Sequence, residues 1–369
     1  MGSDSLSASA RRTAASPTSS LADAPGRGLR RRSVIGGVLG CVFGLALPAC
    51  GGAPGPPARQ APPLPPLATA DLTRLLPQAG LRWLVLARPR EIAAVPWLIP
   101  SIAIVAPEEN VARHAGATGV DLRQVREAAI ASYVSGEGAA GEARLYVARH
   151  SGDPRTIERL FRRRLTGKER RALDRPDVVR VTGDIGRAPH ALVLLGPDVV
   201  GVQDGGSPLR GPARVASLYA LGRLKRSPTA LSEGPLAALA ARFGPAPVRA
   251  FAPGPFDGEL ARGARGLLAA ATAVGAAARP SAREGIALAI AVAGDFSTSG
   301  EAASEELLLA WNELAHGSFG HLLGLDAPVE PPLATHAPDA VAIAVELNPR
   351  ALARGLAAAT GERIEEMLR

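Results

Sequence analysis

The chain has 369 residues, 47% of them apolar, 21% charged and 4% aromatic. That apolar share places it among globular proteins, with material for one large or two ordinary cores. The net charge of +8 divides evenly: residues 1–49 hold six arginines and two aspartates, and the other 320 hold 36 basic and 32 acidic residues, a mild excess that argues against a dedicated nucleic-acid binder.

A polar leader, residues 1–29, comes first. Arg30, Arg31 and Arg32 form a compact positive cluster, Val34 to Leu47 is a 14-residue apolar run, and Leu47-Pro48-Ala49-Cys50 closes it. The run is shorter than the roughly 20 apolar residues a bilayer-crossing helix needs. Positive cluster, short apolar core and a small residue before a cut is the layout of a removable export signal. With Leu47 at −3, Ala49 at −1 and Cys50 at +1, its end resembles the lipobox of bacterial lipoproteins. The resemblance covers only about the first 52 residues. It implies a signal peptide over residues 1–49, cleavage before Cys50, a diacylglyceryl group on the Cys50 thiol and an acyl chain, such as palmitate, on its freed amine. Arg31-Arg32-Ser33-Val34-Ile35 also resembles a twin-arginine export signal, with Val34 where Phe is common; the general route is the alternative. Gly51, not Asp, comes after the cysteine, so the resemblance implies the outer membrane, on its periplasmic side or at the cell surface.

There are two cysteines. Cys41 would leave with the apolar run and Cys50 would be lipidated, so the mature protein would hold no disulfide and depend on packing. Gly51 to Ala70 contains seven prolines and one charge. It reads, with Cys50, as a lipidated polyproline-like tether over residues 50–70, up to about 60 Å long at about 3.1 Å per residue.

Asp71 is expected to cap a short helix ending before Pro77. Leu81–Ala87 reads as a strand, Pro107-Glu108-Glu109 as a helix start, and Asp121 as the cap of another turn. Ala128–Ser135 and Ala143–Arg149 read as strands around a glycine-rich loop. Asp153-Pro154 starts a helix with Ile157, Leu160, Phe161 and Leu165 along one face. Strands Val178–Thr182, Ala191–Leu195 and Val199–Gln203 come next, then a helix over Gly211–Arg226 and a boundary at Ser227–Pro235. In the second half, Val248–Ala252 reads as a strand and Glu259–Ala277 as an alanine-rich helix. Ile286–Ala293 and Val341–Val345 alternate large residues with alanine, which predicts neighbours in one sheet, buried on both faces, with Ala289 and Ala344 beneath a helix. Between them a helix over Ser299–His316 is expected, opened by a Thr298/Glu301 capping box, and Asn348-Pro349 starts the last helix. The fold class is α+β, with mixed, largely antiparallel sheets and helices packed on them, arranged as two ferredoxin-like or similar sandwich subdomains over residues 71–232 and 233–369.

Three stretches carry candidate chemistry. Gly136-x-Gly138-x-x-Gly141 matches the dinucleotide fingerprint as a string, but the mechanism needs a helix after the last glycine, and EARLYVARH reads as a strand. Glu313-x-x-His316 with His321 and Asp326 is the metal-ligand candidate. Arg162, Arg163, Arg164, Lys168, Arg170 and Arg171 form the densest basic run, expected opposite the apolar face of their helix: a solvated face, or a contact for anionic lipid or an acidic partner. Nucleophile motifs are missing. The expectation is a lipid-anchored envelope protein with a binding or structural role, no cofactor, the membrane and an envelope protein or anionic lipid as partners, and no nucleic acid. An envelope metal-assisted hydrolase built on His316, His321 and Asp326 is the alternative.

Overall fold

The computed structural model describes residues 64–135 and 141–368, with side chains to residue 359. In chain order the elements are β1 (Leu81–Ala87), α1 (Pro89–Ala93), α2 (Ile99–Val105), α3 (Glu108–Thr118), β2 (Glu127–Val134), β3 (Glu142–Arg149), α4 (Pro154–Arg164), β4 (Arg170–Arg175), β5 (Val178–Ile185), β6 (Ala188–Leu195), β7 (Val199–Asp204), α5 (Pro212–Ala220) and α6 (Gly234–Phe243). Then come β8 (Val248–Pro253), α7 (Gly258–Ala261), β9 (Ala273–Pro280), β10 (Ile286–Ala293), α8 (Gly300–His316), α9 (Ser318–Leu323), β11 (Glu330–Ala337), β12 (Ala340–Leu347) and α10 (Pro349–Leu368).

All twelve strands join one sheet in the order β11-β12-β10-β9-β8-β1-β2-β3-β7-β6-β5-β4. Every neighbouring pair is antiparallel. The fold is therefore α+β, as expected. β1 to β7 make one wing and β8 to β12 the other, the strands before and after the expected boundary near residue 232. The sheet itself is continuous there, because β8 pairs with β1 from Leu84↔Phe251 to Ala87↔Val248. One core joins Leu84, Leu145 and Val193 to Phe243, Ala273 and Ala291 across the two wings.

The second wing contains one split βαβ unit: β10 leads through α8 and α9 to β11, and β12 lies between the two strands. The first wing has no such unit. Its β1 and β2 lie side by side although three helices join them, and β7, β6 and β5 separate β3 from β4. It departs in this from the ferredoxin-like expectation.

One face of the sheet carries Leu84, Ala131, Leu145, Val193 and Leu195 under α5, α6 and the short turn Leu72–Leu75. The other face holds two separate cores. Val181, Leu192, Leu194 and Val200 pack with Ile157 and Phe161 of α4. Val341, Ile343, Val345 and Leu347 pack with Leu307 and Trp311 of α8.

Local chemistry sets several boundaries. The Asp153 carboxylate accepts from the backbone N–H of Arg155 at 3.3 Å and of Thr156 at 3.0 Å, which starts α4. Asp71 and Asp121 accept in the same way from Thr73 and Arg123. Asn348 caps α10 through the N–H groups of Arg350 and Ala351.

Other expectations fail for tertiary reasons. Glu259–Ala277 is not one helix: it divides into α7, a short turn over Ala264–Ala269, and β9. Gly266 sits at φ +88°, which interrupts a helix, and Ala273–Pro280 has a strand to pair with on either side. Those ladders outweigh alanine's helix preference. The 227–235 boundary runs into α6, whose Pro235 lies in the first turn. The Thr298/Glu301 box does not form: Ser299 is the N-cap residue, so Thr298 lies one place too early, and no side chain caps α8. β10 and β12 are neighbours as expected, with Ala289 opposite Ala344. Neither alanine sits fully beneath a helix, however: Ala344 is exposed and Ala289 half-buried.

Candidate functional site

Residues 64–70, expected to belong to the tether, are strapped along the sheet. Nη1 of Arg175, in β4, donates to the Pro65 carbonyl at 2.5 Å. Nη2 of Arg149, in β3, donates to the carbonyls of Thr69 and Ala70. The Ala68 N–H donates to the Ala220 carbonyl at 2.9 Å, and Leu67 packs against the main core. Both arginines are themselves held. Arg149 pairs with Asp198 at 2.7 Å, and Arg175 grips Asp177 through two bonds of 2.5 and 2.6 Å, which hold the Asp177 carboxyl below its ordinary range. Beside Arg149, burial pushes the Glu127 carboxyl up, with Asp71 adding and Arg149 opposing. Sequence reasoning missed both straps because donor and acceptor stand 80 and 110 residues apart, beyond any local pattern.

The basic run does not lie on one helix. α4 ends at Arg164, and Arg170 and Arg171 belong to β4, the last strand of the sheet. The carboxylates inside the run are already engaged. Glu158 pairs with Arg171 at 2.6 Å and lies 3.9 Å from Arg162, and Glu169 pairs with Arg162 at 2.8 Å. These pairs tie the end of α4 to β4. Arg163, Arg164, Lys168 and Arg170 are exposed and have no carboxylate partner among the described residues.

The metal candidates are brought together only in part. Nδ1 of His321 lies 2.8 Å from Oδ2 of Asp326, and the His316 and His321 rings meet edge-on at 6.3 Å. Hydrogen bonding to His321 holds the Asp326 carboxyl below its ordinary range, against the opposing effect of burial. Nδ1 of His316 lies 2.9 Å from the Asn312 carbonyl. Glu313 is not part of the group: Arg265 binds it, together with Glu306, from the turn before β9. Both rings are exposed, and no group of three or more His, Cys, Asp or Glu is placed to hold a metal among the described residues. A hydrolytic site needs a metal held in a cleft, or a nucleophile within reach of a base; this surface pair supplies neither.

Gly136 and Gly138 of the glycine string lie outside the described residues, between β2 and β3. Gly141 leads directly into β3, so no helix N-terminus is present to hold a pyrophosphate. Arg31, Arg32, Leu47, Ala49 and Cys50 lie outside the described residues. No helix among the described residues is long and apolar enough to cross a membrane.

No known family matches this chain, and no curated protein does either. Among solved structures, crystal form IV of TP0453 aligns over 75% of this chain and 94% of its own, at 10% identity and a TM-score of 0.43. A likeness that distant carries no argument about fold or function.

Proposed function

We propose that this chain is a lipid-anchored bacterial envelope protein whose folded part, from residue 64 onward, binds a partner at the membrane surface and is not an enzyme. The observation that carries the reading is Leu47-Pro48-Ala49-Cys50 at the end of a short apolar run behind three arginines. The docking of residues 64–70 supports it. A segment so rich in proline cannot enter a helix or a central strand. Here its end is fixed to the sheet by two arginines and a backbone bond, which suits a chain that must transmit an anchor's position to a folded unit.

The test is acylation. Cells given a labelled fatty acid should incorporate the label into the wild-type chain and not into Cys50→Ala. The wild type should stay with membranes through a high-salt wash. A wild-type chain that takes up no label, or a Cys50→Ala chain labelled equally, removes the anchor and the envelope address with it.

A further inference from the structure

We infer that the β4 edge of the sheet, with the outer face of α4, docks on a bilayer of anionic phospholipid. The orientation rests on the lipid-anchor reading; the surface chemistry stands without it.

Charge is segregated there. Residues 155–171 hold eight basic and two acidic side chains, a net +6, while the rest of residues 50–369 hold 28 basic and 30 acidic, a net −2. The two acidic residues, Glu158 and Glu169, are consumed by Arg162 and Arg171. Arg155, Arg159 and Arg163 then line α4 at i, i+4 spacing, with Arg164, Lys168 and Arg170 beside them, all exposed. Arg155 acts on the neighbouring Asp153 carboxylate, and the other five have no carboxylate partner among the described residues. Like charges four apart weaken a helix. Guarding an edge strand against aggregation needs charge on the strand, not on a neighbouring helix. Arg163 and Arg164, in the last turn of α4, suit the helix C-terminus, but Arg159 has no such return inside the fold, and an anionic surface offers one to the whole stripe.

Two further observations select a bilayer over an acidic protein. Leu173 in β4 is 56% exposed and Leu64 is 58% exposed, so large apolar side chains border the cations, as suits a headgroup interface. The chain also enters the fold at this edge. Pro65 is held by Arg175, five residues along the same strand from Arg170, a separation of about 17 Å at about 3.4 Å per residue. From Cys50 to Pro63 there are 14 residues, which reach at most about 43 Å at about 3.1 Å each. A lipid on Cys50 then keeps this edge near the headgroups, and the cations turn it toward them.

The test uses the chain from Gly51 onward, unlipidated, so that a failure of acylation cannot mask it; residues 64–369 form one compact unit within it. This chain should float with vesicles of phosphatidylglycerol and phosphatidylcholine but not of phosphatidylcholine alone. Binding should vanish at about 1 M salt, where screening falls to about 3 Å. Arg163→Glu with Arg164→Glu should weaken it by about tenfold or more, with the folded state retained by circular dichroism. Arg223→Glu with Lys225→Glu, equal in charge change and exposed near α5, should not. Equal loss from both pairs reduces the effect to net charge and overturns the surface. So does absence of binding to anionic vesicles, including the case in which the chain is instead retained by immobilised polyglutamate.

Discussion

Ala191 to Leu195 in β6 are buried without a break, on both faces of the first wing. In β12 of the second wing, Val341, Ile343, Val345 and Leu347 are at most 5% exposed, while Ala344 between them lies open. Ala191–Leu195 of β6 is an uninterrupted apolar run; Val341–Val345 of β12 alternates large residues with alanine. The difference shows how far each pattern can be read. An uninterrupted run marks a strand covered on both sides, here by α5 and α4. In β12 the alternation of large with small puts the large residues under a helix, α8, and leaves Ala344 without cover. The same alternation in β10 has Ala291 and Ala293 buried in the main core, so the pattern alone does not say whether the alanine face is covered. An alanine has too little apolar surface for its exposure to cost much.

The sharpest way to break the comparison is to truncate a residue of the doubly covered wing. Leu192 is 1% exposed beneath α4. Leu192→Ala should destabilise by about 2–5 kcal/mol in urea unfolding. Leu333→Ala, in the outermost strand of the second wing, should cost under about 0.5 kcal/mol, since Leu333 is 66% exposed. Equal costs would mean that the wings do not differ in cover.

Acid should also single out the first wing. His150, just after β3, is 2% exposed, and its Nδ1 accepts from the Gly152 N–H at 3.0 Å. Its Nε2 is buried without a hydrogen-bond partner. Burial pushes its pKa below the ordinary 6.5, against the opposing pull of Asp198. The unfolded chain therefore takes a proton on this ring that the folded chain refuses. Stability is full above about pH 6.5 and falls as pH drops from there toward the folded pKa, by at most about 1.4 kcal/mol per pH unit. The urea midpoint should fall between pH 7 and 5.5. His150→Asn, whose side-chain oxygen can still accept from Gly152, should flatten that decline. An unchanged slope in His150→Asn would show that His150 is not the group responsible.

The smallest effect is expected on the open alanine face. Ala344→Leu should change stability by less than about 0.5 kcal/mol in the same assay. A loss of about 1–3 kcal/mol would mean overpacking, and so a covered face.

Local residue chemistry was legible where each signal acts within a few residues. Leu81–Ala87 and Ile286–Ala293 are strands with those same ends, because their patterns are strong and bounded by glycine or a turn. Asp71, Asp121 and Asp153 each cap the helical turn that begins at the next residue, because a carboxylate reaches the N–H groups just beyond it. The candidate site was less legible. Of the four metal candidates, His321 and Asp326 come within hydrogen-bond reach, but Arg265 binds Glu313 from 48 residues away and removes it from the group.

The sequence by itself determined the caps at Asp71, Asp121 and Asp153, the alternating strands, the α+β class and the concentration of cations between Arg155 and Arg171. These rest on contacts a short peptide already makes or on composition alone. Only the tertiary structure decided that Ala273–Pro280 is a strand, that Arg170 and Arg171 lie on a sheet edge, and that Arg149 and Arg175 hold the end of the proline-rich segment. Alanine and arginine are compatible with either helix or strand at modest cost. The choice between them depends on whether segments distant in sequence offer backbone partners, and β8 and β10 offer them to β9 on both sides.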